Sequence, residues 1–290
     1  MRVTVFGATG VVGRALLPLL DRHEVVAVSR AERDEPGARW AVADAATGEG
    51  VAEAVAGADV VYYLVHSLGS RDFEEQDRAA ADRVAQAAAD AGVRQIVYLG
   101  GLGADDPRAS PHLRSRRETG DRLASAGVPV TTLRAAMIVG AGSAAFETIV
   151  GLVRRLPVML TPTWVTTPTQ PIALDDAARY LAGVCGLEEA FGESYDTGGP
   201  EVMTYRQMLE RIARLLGRNP LILEVPVLSP FLSALWLHLV TPVNASVARP
   251  LVEGLRNPTV AREERIRALV PLELTPFDEA ARRALAGAAR

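Results

Sequence analysis

Two periods of apolar and polar positions alternate along the chain. Short runs in which nearly every residue is apolar are separated by stretches that repeat every three to four residues. The runs Val3-Thr4-Val5-Phe6, Val25-Val26-Ala27-Val28, Arg39-Trp40-Ala41-Val42-Ala43, Val60 to Val65, Gln95-Ile96-Val97-Tyr98-Leu99 and Val130-Thr131-Thr132-Leu133 predict six strands buried on both faces. Helical spacing falls between them: at Leu16, Leu17 and Leu20, at about 47–56 and 73–91, and after Ser110-Pro111. Ser110 suits an N-cap and Pro111 the first turn. Pro18 removes a backbone donor inside the first helical pattern and predicts a kink. Regular alternation of strand and helix predicts a parallel sheet with helices on its faces.

Beyond residue 140 the regularity fades into Pro- and Thr-rich sequence at 157–171. Thr204 then opens a helix: Gln207 completes a capping box, Met208, Leu209, Ile212, Leu215 and Leu216 form its buried stripe, and Gly217 stops it. From Val225 to Ala248 no residue is charged, and Pro226, Pro230 and Pro242 break that stretch below the length of a spanning helix. Its first reading is packing of a substrate lobe or subunit, its second a peripheral membrane contact through 225–248, its third a lid. The expected division is residues 1–200 as a dinucleotide-binding domain, with 143–169 contributing to a substrate pocket, and 201–290 as a C-terminal substrate lobe.

With 290 residues, 49% hydrophobic and 23% charged, the chain can bury one large core and an appended lobe. A net charge of -4 argues against a nucleic-acid partner, which needs clustered cations. Cys185 is the sole cysteine, so no internal disulfide forms; Met1 leads directly into the first strand, and a cytoplasmic location is expected. The chain contains no lysine, so all 31 of its Lys+Arg residues are arginine and any mechanism needing a lysine is excluded.

The chemistry begins at Gly7-Ala8-Thr9-Gly10-Val11-Val12-Gly13, directly after the first strand and before the first helix. Gly7 and Gly10 let backbone approach a pyrophosphate, and Gly13 lets helix and strand pack closely. The N–H groups around Thr9, Val11 and Val12 face an anion. In that context the fold class reads as α/β, a Rossmann-type doubly wound parallel sheet with a small C-terminal substrate lobe. At the end of the second strand, where an acidic residue would accept the ribose 2′-hydroxyl of NAD(H), stand Ser29 and Arg30. A hydroxyl and a guanidinium suit a 2′-phosphate, and Arg14 adds a second cation, so NADP(H) is favoured over NAD(H). Asp44 and Ala45 close the third strand on the adenine side, although an acidic loop residue is an equal reading of Asp44.

The fingerprint, Ser29-Arg30, Asp44-Ala45 and the later Leu133-Arg134 strand resemble the short-chain dehydrogenase/reductase superfamily in its extended and atypical branches. The segments Tyr63-Leu64-Val65-His66-Ser67, Tyr98-Leu99-Gly100-Gly101-Leu102, Ser110 to Arg116 and Pro168 to Ala173 are similar to the atypical subgroup of YbjT-like NAD(P)-binding proteins. The resemblance implies cofactor contacts at Val65, His66, Gly100 and Gly101. The superfamily usually works with Ser, Tyr and Lys, the last two as YxxxK. Here His112 and Arg116 occupy that spacing, Gly100-Gly101 replaces the strand end that carries Ser, and the resemblance suggests a catalytic role for the HxxxR pair.

Positions 112 and 116 share a helical face, so both side chains can address one ligand. Arg116 cannot release its proton near neutrality and should depress the pKa of His112, leaving a base or a neutral donor. The competing reading is a solvated helix face beside Arg114 and Arg117. His66, at the end of the fourth strand, is a further catalytic candidate or an ordinary loop histidine. Met137, Ser143, Phe146, Met159 and Trp164 are expected to line an apolar substrate pocket. The scattered His23, His66, His112 and His238 form no metal set. The leading expectation is an NADP(H)-dependent oxidoreductase acting on a moderately apolar carbonyl, enone or quinone. An NADP(H)-sensing regulatory protein is the alternative from another class, and a sugar-type epimerase the third; oligomeric state stays open.

Overall fold

The computed structural model describes residues 1–66, 73–107, 109–225 and 256–287. In chain order the strands are β1 (Arg2–Phe6), β2 (Glu24–Ser29), β3 (Arg39–Val42), β4 (Val60–Tyr63), β5 (Gln95–Gly101), β6 (Val130–Ala135), β7 (Ile138–Val139), β8 (Val158–Pro162), β9 (Pro168–Thr169), β10 (Ile172–Ala173), β11 (Ser194–Thr197), β12 (Met203–Thr204) and β13 (Leu221–Val225). The helices are α1 (Val11–Leu16), α2 (Val51–Val55), α3 (Phe73–Asp90), α4 (Pro111–Ala124), α5 (Ala144–Arg155), α6 (Leu174–Gly183), α7 (Tyr205–Leu215), α8 (Arg265–Leu269) and α9 (Phe277–Gly287).

Seven strands form one parallel sheet in the order β11-β6-β5-β4-β1-β2-β3. The chain winds outward from β1 through β2 to β3, then crosses back to β4 on the other side of β1. The crevice at the carboxyl ends of β1 and β4 is therefore the topological switch point, where such sheets hold ligands. Side chains on each strand point alternately to the two faces. Val3, Val5, Tyr62 and Val97 pack against α1 and α6 through Leu16 and Leu181. Phe6, Val61, Tyr63 and Ile96 pack against α2, α3 and α4 through Val55, Val84 and Leu123. A third core, outside the sheet, joins α5, α7 and α9 through Phe146, Ile149, Met208, Ile212, Phe277 and Ala281, so it draws on residues from both sides of position 200.

Each of the six strands read from sequence is present, but β3 is not buried on both faces: it is the edge strand, with Arg39 and Val42 exposed and Trp40 and Ala41 half-buried, and the remaining differences lie at strand ends. β4 stops at Tyr63 rather than Val65, because Leu64 onward leaves the sheet to pass over the glycine turn. β5 and β6 run on to Gly101 and Ala135, paired with each other to the last residue. The helix read at about 47–56 begins only at Val51, because residues 44–50 are taken up by a turn with Gly48 and Gly50 at positive φ. At Pro18 the first helix does not bend and continue: α1 ends at Leu16 and gives way to a 3₁₀ segment, Leu17–Leu20. Thr204 caps α7 with both bonds of the capping box in place, and Gly217 follows at φ +65°. Met208, Leu209 and Ile212 of its stripe are buried, whereas Leu215 and Leu216 are half-buried. The seventh strand, β11, was not foreseen. The uncharged segment read at 225–248 and His238 lie outside the described residues apart from Val225, the last residue of β13, and Ser67 lies outside them too.

Candidate active site

The glycine turn sits at the switch point. Gly7 has φ +83°, and a Cβ there would stand 2.7 Å from the carbonyl oxygen of Leu64, the residue that leaves β4 beside it. A Cβ on Gly13 would lie 2.3 Å from the Gly7 carbonyl oxygen, and one on Gly10 3.2 Å from the same atom. Backbone alone fits at Gly7 and Gly13, which gives the spacing of the motif its steric cause. The Gly10 N–H donates to the Gly7 carbonyl at 3.0 Å. Gly10 is the N-cap of α1 and offers no side-chain cap, and the N–H groups of Val11, Val12 and Gly13 have no acceptor within the helix. A cradle of glycine backbone with uncapped donors fits a dinucleotide pyrophosphate, so the residues present suit the cofactor that the fold implies. Arg14 is exposed, and its Nε donates to the Thr9 carbonyl at 3.0 Å, bracing the turn.

At the end of β2 Ser29 is buried and Arg30 exposed. The Ser29 hydroxyl accepts from the Ala31 N–H at 3.3 Å and from Arg33 Nε at 3.2 Å. Arg33, which sequence reasoning passed over, lies with its guanidinium 5.7 Å from the Trp40 ring centroid and is paired with Glu35. Two arginines therefore flank Ser29 where one was expected. The available signal was an Arg four residues past the strand-end serine. Asp44 caps its own loop, accepting from the Ala46 N–H at 2.8 Å with Oδ1, and Ala45 is buried in the core beneath it.

Along the sheet towards β5, Val65 is half-buried and His66 is accessible to solvent, yet protein crowds its ring as in a cleft. His112 and Arg116 are half-buried on the inward face of α4, whereas Arg114 and Arg117 are exposed on its outer face. The pair thus turns towards the strand ends, and a solvated face describes only its neighbours. Gly101 is what allows this. A Cβ there would meet Leu113 Cδ2 at 3.1 Å and Arg116 Cγ at 3.9 Å, so the small residue lets α4 close on β5. Ser110 caps α4, its hydroxyl accepting from the Leu113 N–H at 3.3 Å. Arg116 is fixed from two sides: Nη2 donates to the Leu99 carbonyl, and the guanidinium lies 5.5 Å from the Tyr98 ring centroid. Tyr98 in turn donates its hydroxyl proton to the Arg116 carbonyl at 2.8 Å.

Electrostatics tie the three candidates together. Burial, then the Arg116 guanidinium, then His66 push the His112 pKa down to about 3. Desolvation in its cleft, followed by Arg116, pushes His66 down to about 4. The depression expected from Arg116 is present, but loss of hydration is the larger cause for both rings. At neutral pH both imidazoles are uncharged, each with one N–H donor and one acceptor. Behind them the Tyr63 ring packs on Tyr98 at 6.2 Å between centroids. Its hydroxyl is buried with no partner among the described residues, and burial, then Asp77, holds it well above the usual phenol range. The sequence places Tyr63 and Tyr98 in strands and in segments that carry the family resemblance, and assigns neither a role at the site.

The residues read as substrate-lining lie past β6. Met137 and Trp164 are half-buried, with Trp164 edge-on to Tyr205 at 6.1 Å between centroids. Ser143 donates its hydroxyl proton to the Ile138 carbonyl at 2.7 Å. Phe146 and Met159 are buried in the third core, where they pack α5 and β8 against α7.

Fold and strand-end geometry define a Rossmann-type protein whose glycine turn at the switch point suits a dinucleotide. Residues 7–140 match the NAD(P)H-binding family. A Streptomyces griseus protein, (4-alkanoyl-5-oxo-2,5-dihydrofuran-3-yl)methyl phosphate reductase, is 31% identical over 228 residues, 74% of this chain and 74% of that protein. The NADH dehydrogenase (ubiquinone) 1 alpha subcomplex subunit 9 of Arabidopsis thaliana is 24% identical over 240 residues, 77% of this chain and 60% of that protein, so the chain spans under two thirds of that relative's length. Among solved structures, triphenylmethane reductase from Citrobacter sp. complexed with NADP(H) superimposes with TM-score 0.76 at 19% identity, covering 98% of this chain and 100% of that one. A nucleoside-diphosphate-sugar epimerase from Staphylococcus aureus does so with TM-score 0.79 at 15% identity, covering 97% and 100%. The chain belongs to the NAD(P)H-binding family. Among the described residues no helix is long and apolar enough to cross a membrane.

Proposed function

We propose that this protein is an NADP(H)-dependent reductase of the atypical short-chain type, acting on a moderately apolar carbonyl, enone or quinone. The observation that carries the reading is the meeting of His66, His112 and Arg116 beside Gly101 at the carboxyl edge of the sheet, next to the glycine cradle. Gly7, Thr9, Gly10, Val11, Val12, Gly13 and Arg14 would hold the pyrophosphate, Ser29 and Arg30 with Arg33 the 2′-phosphate, Asp44 and Ala45 the adenine side, and Val65, His66, Gly100 and Gly101 the nicotinamide half. Bound nicotinamide supplies the hydride. The neutral His112 ring donates its N–H to the substrate oxygen, and Arg116, permanently charged and braced on the Leu99 carbonyl, stabilises the charge that develops there. A neutral imidazole is a poor acid, so the proton that completes an alcohol or hydroquinone comes from water held at His112. Turnover is accordingly modest. The first 200 residues would carry the cofactor, and residues 201–290, with Met137, Ser143 and Trp164, would cover the substrate; the Streptomyces relative, itself a reductase, supports this reading.

One observation favours the cofactor-sensing alternative: neither imidazole is charged at neutral pH and no Tyr–Lys pair replaces them. Calorimetric titration with NADPH, NADP⁺, NADH and NAD⁺, followed by NADPH consumption over a carbonyl and quinone panel, separates the two. Saturable consumption that His112→Ala lowers by about 10²-fold without weakening NADPH supports the reductase. Tight binding with no consumption across the panel supports the sensor.

A further inference from the structure

Strands β8 and β13 pair in parallel away from the main sheet, with Val158 opposite Leu221 and Leu160 opposite Leu223. One face of this ribbon is buried, placing Met159 and Ile222 in the third core. The other face carries Val158, Leu160, Leu221 and Leu223, which are 45%, 49%, 55% and 43% exposed. A ribbon with one wet face ordinarily alternates apolar and polar residues. Here the outward positions are aliphatic in both strands and adjacent across the pairing, a contiguous apolar patch of the kind that marks an interaction surface.

The charges around the patch are of one sign at one end. Both strands begin at the same end, just after the last turns of α5 and α7, where Arg154, Arg155, Arg214 and Arg218 are exposed. Arg154, Arg214 and Arg218 have no ion-pair partner among the described residues, and neither 148–160 nor 211–223 contains an acidic residue. At the far end the carboxylate of Glu224 is taken up by Arg206 at 2.6 Å.

We propose that the outer face of β8 and β13, with the arginines at its start, docks on an anionic lipid surface. Four half-exposed aliphatic side chains fall far short of the roughly 800 Å² per partner that a stable dimer buries. They bring no side-chain hydrogen-bonding group that would specify a protein partner. Aliphatic insertion at the interface combined with several cations facing anionic headgroups is the chemistry of peripheral membrane binding. The surface is distinct from the uncharged segment read at 225–248, and it does not depend on the reductase reading.

The test is sedimentation of the full chain with vesicles of phosphatidylcholine alone and of phosphatidylcholine mixed with phosphatidylserine. The expected result is binding to the mixed vesicles, weakened by salt, abolished in Leu160→Glu/Leu223→Glu, and reduced about fivefold by Arg218→Ala. A Leu223→Cys variant, read against the wild-type Cys185 background, should label rapidly with a thiol reagent and become protected when mixed vesicles are added. No sedimentation with either vesicle overturns the proposal. So does slow labelling without vesicles, which means that another part of the chain covers the face, and so does a dimer in solution that Leu160→Glu dissociates, which makes the patch a contact between copies.

Discussion

His112 and His66 show how one helical turn and one strand end set the titration of a site. Their folded pKa values of about 3 and about 4 lie below the unfolded value of about 6.5. Between those limits the unfolded chain binds protons that the folded chain refuses, so folding loses stability as pH falls. The neutral-ring contribution is fully present above about pH 6.5 and is lost towards the folded values. Urea unfolding across this range should show a slope approaching about 1.4 kcal/mol per pH unit for His112, with less from the exposed His66. In His112→Gln the slope should shrink by the larger part; an unchanged slope would assign it to other groups. Arg116→Ala should raise both histidine pKa values, read by NMR titration of the ring protons, yet leave them below 6.5 because burial is the first cause.

At the scale of elements, the turn between β1 and α1 tolerates no side chain at its third glycine. Gly13→Ala would drive a Cβ against the Gly7 carbonyl, a backbone atom that cannot step aside. The expected cost is about 2–3 kcal/mol of stability, with loss of NADPH binding in calorimetry; wild-type affinity in a stable variant would refute the cradle. The element scale also shows what was legible. The six strands could be read because each is a local apolar run, and α4 and α7 because Ser110 and Thr204 announce their first turns within three residues. Strand β11 reads Ser194-Tyr195-Asp196-Thr197 and has no apolar run. Its place comes from pairing with β6, where Asp196 meets Arg134 at 2.7 Å in an ion pair between neighbouring strands.

Across the whole molecule, two carboxylates, the buried Asp176 and the half-buried Glu201, fasten the C-terminal residues to the body. Asp176 in α6 accepts the Thr275 N–H at 2.6 Å and its hydroxyl at 3.1 Å, and Glu201 accepts the Phe277 N–H at 2.9 Å while pairing with Arg211, which also holds Asp278. Asp176→Ala leaves the Thr275 donor without its acceptor and should cost about 2–3 kcal/mol, lowering the melting temperature while NADPH affinity is unchanged. A matching loss of cofactor affinity would mean that the clamp reaches the switch point.

The sequence by itself determined the βαβ start, the glycine turn and the i, i+4 relation of His112 to Arg116, because each depends on neighbours within one or two turns of chain. Only the tertiary structure decided that His66 joins that pair and that Asp196 of β11 meets Arg134 of β6. Those meetings follow from strand order, since β4 and β5 are brought side by side by pairing across dozens of residues, and no local period records which strand ends become neighbours.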